Sequence, residues 1–274
     1  MTFSFQKGGF PVNPTSHSST FPRVTIPDTE VRELKSSATD RSYDLYVHLP
    51  EEYMQNQEKK YPVLYVLDGQ WDFKLLDSIC GALHFDEFMP ETLIVGITYS
   101  GDSPDYGALR AMDYTPVPDT DFPGSGDARK FLAFFKEELL PFIESNYRAE
   151  PRRVLIGSSF GGTFTLYAMF VEPGLFSGYI ATSPVVDYGD RFAFKQDAEY
   201  AGVHGELPVR LFLSVGELEE LAQPVKEFMQ VLSERGYMGL EMETRTIEGE
   251  RHAGNKAEAF NRGLRFIFQG FPKS

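Results

Sequence analysis

One serine in this chain stands where a serine can do chemistry. Gly157-Ser158-Ser159-Phe160-Gly161 fits the pattern G-x-S-x-G, with Ser159 at its centre. It follows the apolar run RRVLIG, which reads as a strand, and precedes TFTLYAMF, which reads as a helix. A central serine on such a turn sits in strained backbone, and the strain pushes its hydroxyl out above the sheet. The Phe160 amide, at the helix start, then faces any charge developing on an attacked carbonyl oxygen. Ser158 has the wrong spacing to the glycines. A plain glycine-rich turn with a capping serine would carry the same letters, but the strand before and the helix after favour a nucleophile.

A serine hydroxyl is a weak nucleophile and needs a base. On this kind of turn the partners follow in the order serine, acid, histidine. Of the five histidines only His204 and His252 come after Ser159. His204 precedes the next strand, which leaves no strand-end acid between it and the serine. His252, in RTIEGERHAGN, lies between a strand-like segment and the last helix, where the base belongs. The acid must orient the imidazole and stabilise its charged form. It should follow the strand VRLFLSVG, where Glu217, Glu219 and Glu220 are the choices; Glu219 is preferred and Glu217 is next. The alternative is a solvated helix start, where glutamate suits the dipole. A second oxyanion donor should come from YPVLYVLDGQWDF. Gly69 allows a tight approach there, and the Gln70 amide is the expected donor, with Trp71 as the alternative. Trp71, the only tryptophan, suits either a substrate-pocket wall or the core.

These residues need a scaffold that brings distant loops together. VRELKSSATDRSYDLYVHLPEEY alternates apolar and polar residues, as half-buried antiparallel strands do. YPVLYVLDG, TLIVGITYS, RRVLIG and VRLFLSVG are short continuous apolar runs, the mark of buried parallel strands. Helical patterns lie between and after them: KFLAFFKEELLPFIESNY, with a kink or break expected at Pro141, then TFTLYAMFVEP, QPVKEFMQVLSERG and NKAEAFNRGLRFIFQGF. The implied fold is α/β, a mostly parallel doubly wound sheet with an antiparallel N-terminal edge. Ligands in such sheets bind beyond the C-terminal strand ends, here 68–71, 157–162 and 216–220. Residues 1–27 read as a surface arm and 28–274 as one domain. The segments 99–127 and 184–207 read as loops that set pocket specificity, the first as a rim or lid.

Composition narrows the function classes. Net charge is −14 with no basic stripe, which argues against nucleic acid and, more weakly, against strongly anionic substrates. No apolar run approaches the roughly 20 residues of a membrane span. The N-terminus carries no signal-peptide pattern, so a cytoplasmic protein is the expectation. Cys80, the lone cysteine, cannot form an internal disulfide and reads as helical core. Sparse histidines without H-x-E or H-E-x-x-H spacing make a poor zinc site, so neither metal nor cofactor is expected.

Several segments together carry a wider resemblance: YPVLYVLDGQWDF, VGITYSG, R-x-x-D-Y-T-P at 110–116, FLAFFKEELLPFIESNY, IGSSFGG and EGERHAG. They resemble the putative esterase family of α/β-hydrolases, which includes esterase D, feruloyl and acetylxylan esterases, mycolyltransferases and trilactone siderophore esterases. The siderophore-esterase branch is the most similar. The resemblance implies an α/β-hydrolase fold, Ser159 as nucleophile, His252 as base, and the Phe160 and Gln70 amides as oxyanion donors. The family's glycine, two residues, then acid maps onto Gly216-Glu217-Leu218-Glu219 and favours Glu219, although some siderophore-branch members resemble a Ser-His dyad with a displaced acid. Siderophore esterases must hold an anionic triscatecholate, which calls for arginines near the site. Arg110 is one candidate, or else a structural partner of Asp113. Nothing marks a glutathione site, a secretion signal or a carbohydrate module. The expected activity is hydrolysis of a small or medium ester through an acyl-enzyme. A trilactone siderophore esterase, an acyltransferase or peptidase on the same triad, and a non-catalytic scaffold are the alternatives.

Overall fold

The computed structural model describes residues 24–271, so most of the expected arm lies outside the described residues. Eight strands form one sheet: β1 (Thr29–Lys35), β2 (Ser42–His48), β3 (Tyr61–Val66), β4 (Leu93–Tyr99), β5 (Ala149–Ser158), β6 (Gly178–Thr182), β7 (Arg210–Gly216) and β8 (Glu241–Ile247). Their order across the sheet is β1-β2-β4-β3-β5-β6-β7-β8. β1 and β2 run antiparallel and β2 is antiparallel to β4; every other pair is parallel. This is the α/β-hydrolase arrangement with the antiparallel N-terminal edge read from the sequence.

Residue chemistry explains which strands are central. Every residue of β3, β4 and β6 is buried, as expected for apolar runs covered on both faces. β2 alternates, and the polar strands β1 and β8 form the exposed edges. Along β3 successive side chains enter opposite layers: Leu64 and Val66 pack with α1 (Gly69–Phe85) and α8 (Lys256–Ile267), while Val63 and Tyr65 pack beneath the helices of the other face. That second layer holds α2 (Tyr106–Tyr114), α3 (Ala128–Phe134), α4 (Leu140–Asn146), α5 (Phe160–Val171), α6 (Tyr188–Ala201) and α7 (Ala222–Arg235). Cys80 is buried in the α1 layer.

Three local features differ from, or sharpen, the sequence reading. The long helix at 130–147 breaks through a π-helical turn at Phe135–Leu139, where the Leu140 amide reaches back to the Phe135 carbonyl, and Pro141 sits in the first turn of α4. A proline inside a helix has no amide to donate, and the widened turn absorbs that loss. The segment 184–207, read as loop, contains α6; its opening residues Gly189, Asp190 and Arg191 all have positive φ. The segment 99–127 likewise contains α2. Both helices are polar enough to pass as loops in sequence. Among the described residues no helix is long and apolar enough to cross a membrane.

Candidate active site

Parallel strands deliver their following residues to one edge of the sheet. The turn after β5 places Ser159 there with φ 59° and ψ −127°, a left-handed backbone that a non-glycine residue rarely adopts. Two features hold it. The Ser159 amide donates to the Thr182 carbonyl at 3.0 Å, and the Thr163 amide donates to the Ser159 carbonyl at 2.9 Å. The glycine two residues earlier is sterically required, because a Cβ on Gly157 would lie 2.3 Å from the backbone of Gly161. Strand and helix therefore touch across the turn. Ser158 points away from chemistry: it is buried, and its hydroxyl has no partner among the described residues.

The turns after β7 and β8 meet beside it. Glu219 Oε2 lies 2.7 Å from His252 Nδ1. Its other oxygen accepts from the Ser183 hydroxyl at 2.7 Å, the Gly216 amide at 2.6 Å and the Asn255 side-chain amide at 2.6 Å. Burial alone would raise this carboxyl. The hydrogen bonds from His252, Ser183 and Gly216 outweigh it and hold Glu219 below the usual carboxylate range. The other glutamates do other things. Glu217 is exposed and accepts from the Gly249 amide at 2.8 Å, while Glu220 is exposed at the rim of the cleft. His204 stacks on Tyr200 with ring centres 4.6 Å apart.

Ser183 and Asn255 were not singled out in the sequence. Ser183 follows β6 with φ 47°, and Asn255 is fully buried ahead of α8. The signal for Ser183 was its place at a fourth strand end; Asn255 had only its spacing of three from His252.

The turn after β3 supplies the remaining backbone. Asp68 has φ 57° and begins α1. The Trp71 and Asp72 amides are taken up by the Asp68 carbonyl at 2.9 and 3.0 Å, whereas the Gln70 amide meets no acceptor among the described residues. The Phe160 amide is free in the same way. Gly161 lies against this turn, since a Cβ there would be 3.4 Å from both Leu67 and Asp68. Lys256 also binds both oxygens of Asp72, at 2.9 and 3.0 Å, and ties the His252 loop to α1.

Arg110 departs from the expected pairing. Its guanidinium binds both oxygens of Asp68, at 2.6 and 2.9 Å, and not Asp113. Asp113 is fully buried and pairs with Arg41 instead. Three-residue spacing on α2 would let the two side chains meet, but each pairs outside the helix, Arg110 with Asp68 and Asp113 with Arg41. Trp71 belongs to neither the core nor the cleft lining; it is 43% exposed and packs on Arg110 and Tyr106.

Ser159, Phe160, Glu219 and His252 line one open cleft of about 600 Å³, together with Phe122, Val185 and Tyr188. Phe122 meets the Phe160 ring edge-on at 5.1 Å, so the 115–127 loop folds over the turn as a rim. The arrangement has the parts for acyl transfer: a hydroxyl on a strained turn, an imidazole held by a carboxylate, and unpaired amides.

Comparison with known proteins gives the family and the fold. The chain is 29% identical over 269 residues to the ferri-bacillibactin esterase BesA of Bacillus subtilis, covering 88% of this chain and 90% of that one. The crystal structure of the BES protein from Bacillus cereus superposes with a TM-score of 0.81 at 26% identity, covering 90% and 97% of the two chains. An IroE-like serine hydrolase from Shewanella oneidensis gives 0.79 at 25% identity, covering 90% and 82%. The family model described as "Putative esterase" matches residues 36–264, and over that span the chain belongs to this family of ester hydrolases.

Proposed function

We propose that this protein is a serine carboxylic-ester hydrolase whose reaction runs through Ser159, His252 and Glu219. His252 takes the Ser159 proton as the hydroxyl oxygen attacks the ester carbonyl. The Phe160 and Gln70 amides donate to the resulting oxyanion. Collapse of that intermediate breaks the bond to the alkoxy oxygen, which leaves with the proton from His252. Water then attacks the acyl-enzyme, gives its proton to His252, and releases the acid and free Ser159. Glu219 keeps the imidazole oriented and stabilises its charged form.

The observation that carries this reading is a single cleft holding Ser159 in strained backbone and His252 against an almost fully buried carboxylate. Helix starts at Phe160 and Gly69 leave their first amides unpaired, which supports the oxyanion role. The test is labelling with a fluorophosphonate followed by peptide mass spectrometry. The reagent's mass on the peptide bearing Ser159 is the expected result, and label on another residue, or none, contradicts it. The single α/β-hydrolase domain from residue 28 onward belongs to the same reading.

A further inference from the structure

The carboxylate that faces His252 is held at its other oxygen by two residues that are each locally unfavourable. Ser183 follows β6 with φ 47°, a left-handed backbone that serine rarely adopts. Its amide donates to the Ser214 carbonyl of β7 at 2.7 Å, and its hydroxyl donates to Glu219 Oε1. Asn255 stands at the start of α8, where an asparagine side chain ordinarily caps the helix by accepting from a backbone amide. Asn255 makes no such bond. Its Nδ2 turns instead to Glu219 Oε1 at 2.6 Å, with the Ser183 hydroxyl oxygen and the carbonyls of Arg251 and His252 each 3.1 Å away. Its Oδ1 is left buried without a partner among the described residues. A buried polar atom left unpaired destabilises the fold. The opposite amide orientation gives no relief, because it would set Oδ1 against the carboxylate, acceptor against acceptor. A strained serine, an uncapped helix start and an unpaired oxygen thus gather around one carboxylate oxygen, and strain gathered in this way marks function.

The same two positions join the other members of the site. Thr182, next to Ser183, accepts from the Ser159 amide at 3.0 Å, so the end of β6 touches both the nucleophile turn and the acid. Asn255 spans from the His252 loop to the acid. The Gly216 amide completes the cradle, and a Cβ on Gly216 would lie 2.7 Å from Glu219 Oε1. We propose, resting on the Ser159 hydrolase reading, that Ser183 and Asn255 are positioning residues of the reaction: they occupy Oε1 so that Oε2 alone is presented to His252 Nδ1. A glutamate has one more rotatable bond than an aspartate, and the cradle removes that freedom.

The rate at which a fluorophosphonate labels Ser159 tests this whatever the substrate. The serine oxygen attacks phosphorus, fluoride leaves and His252 takes the proton, so the rate reads the activation of the serine. Ser183→Ala and Asn255→Leu are each made in the wild-type chain and in Glu219→Ala, with folding checked by circular dichroism. In the wild-type chain each should slow labelling at least about fivefold, and in Glu219→Ala each should leave the residual rate within about twofold, because the group they act through is gone. A purely structural role would slow labelling equally in both chains. Equal slowing, or single variants that label at the wild-type rate, overturns the inference. Ser183→Ala removes one hydroxyl and decides the matter should Asn255→Leu not fold. The outcomes also separate the two readings. Label absent from Ser159 in the wild type overturns the hydrolase reading and this inference with it. Labelling that Glu219→Ala leaves at the wild-type rate removes the acid from that reading, and the cradle's role with it. Labelling that depends on Glu219 but not on Ser183 or Asn255 overturns this inference alone.

Discussion

Glu219 has a side chain only 2% exposed, yet four donors from three strand-end segments converge on it. Its ionised form therefore favours the folded chain. That contribution is complete above the ordinary carboxylate range, near about pH 4.3, and is lost as pH falls through the depressed folded-state value. Urea midpoints of wild type and Glu219→Gln should differ by a constant amount at neutral pH and converge on acidification through that window. A gap that widens in acid contradicts the assignment. In turnover, Glu219→Gln should cost roughly 10³–10⁴-fold in kcat, because the imidazole loses its orienting acceptor. His252→Ala should cost as much as Ser159→Ala, and the double variant no more than either, as expected of groups that act as a unit. Steady-state kinetics on one ester would test both. At this scale the sequence was informative where spacing constrains chemistry: Ser159, His252 and Glu219 stand in one site as read. It was silent on Ser183 and Asn255, whose polar groups have meaning only once three loops converge. Its alternative for Arg110, a pairing with Asp113, also failed, because the actual partner Asp68 lies far away in sequence and comes close only in the fold.

The turn between β5 and α5 sets the position of the serine, and its two flanking glycines are not equivalent. Gly157 has no room for a Cβ, with Gly161 backbone 2.3 Å away, whereas a Cβ on Gly161 meets only ordinary contacts at 3.4 Å. Gly157→Ala should destabilise by roughly 1–3 kcal/mol or more and displace the serine, since neither backbone can yield without moving an element. Gly161→Ala should stay within about 1 kcal/mol of wild type. Urea unfolding of the two variants checks this, and equal effects would contradict it. Strands β3, β4, β5 and β7 were legible because continuous apolar runs have few other uses in a chain of this size, whereas the five-residue β6 was not singled out. The helices α2 and α6 were not, because their polar faces weaken the periodic signal. The left-handed turn that opens α6, Gly189 to Arg191, has no signature beyond a single glycine.

Across the molecule, the layer beneath α3 and α5 is built from aromatic rings. Phe164 packs edge-on to Phe131 at 4.9 Å and stacks on Phe135 at 5.9 Å. Helix α5 carries Phe164 on its buried face and follows the nucleophile directly. Phe164→Ala should lower stability by about 3–5 kcal/mol, while the turnover of the folded fraction, counted by active-site titration, stays near wild type. Lost turnover in fully folded protein would mean that the layer positions Ser159 more tightly than its turn does. The antiparallel edge, the parallel centre and the gathering of strand ends on one side all followed from alternation and apolar runs. The full lining of the cleft did not, because its residues come from segments scattered along the chain. The most direct test of the whole account is hydrolysis of a nitrophenyl ester series, acetate through octanoate, by wild type and Ser159→Ala. Hydrolysis by the wild type, reduced at least about 10³-fold in the variant, is the predicted result. A rate unchanged by the substitution would contradict it.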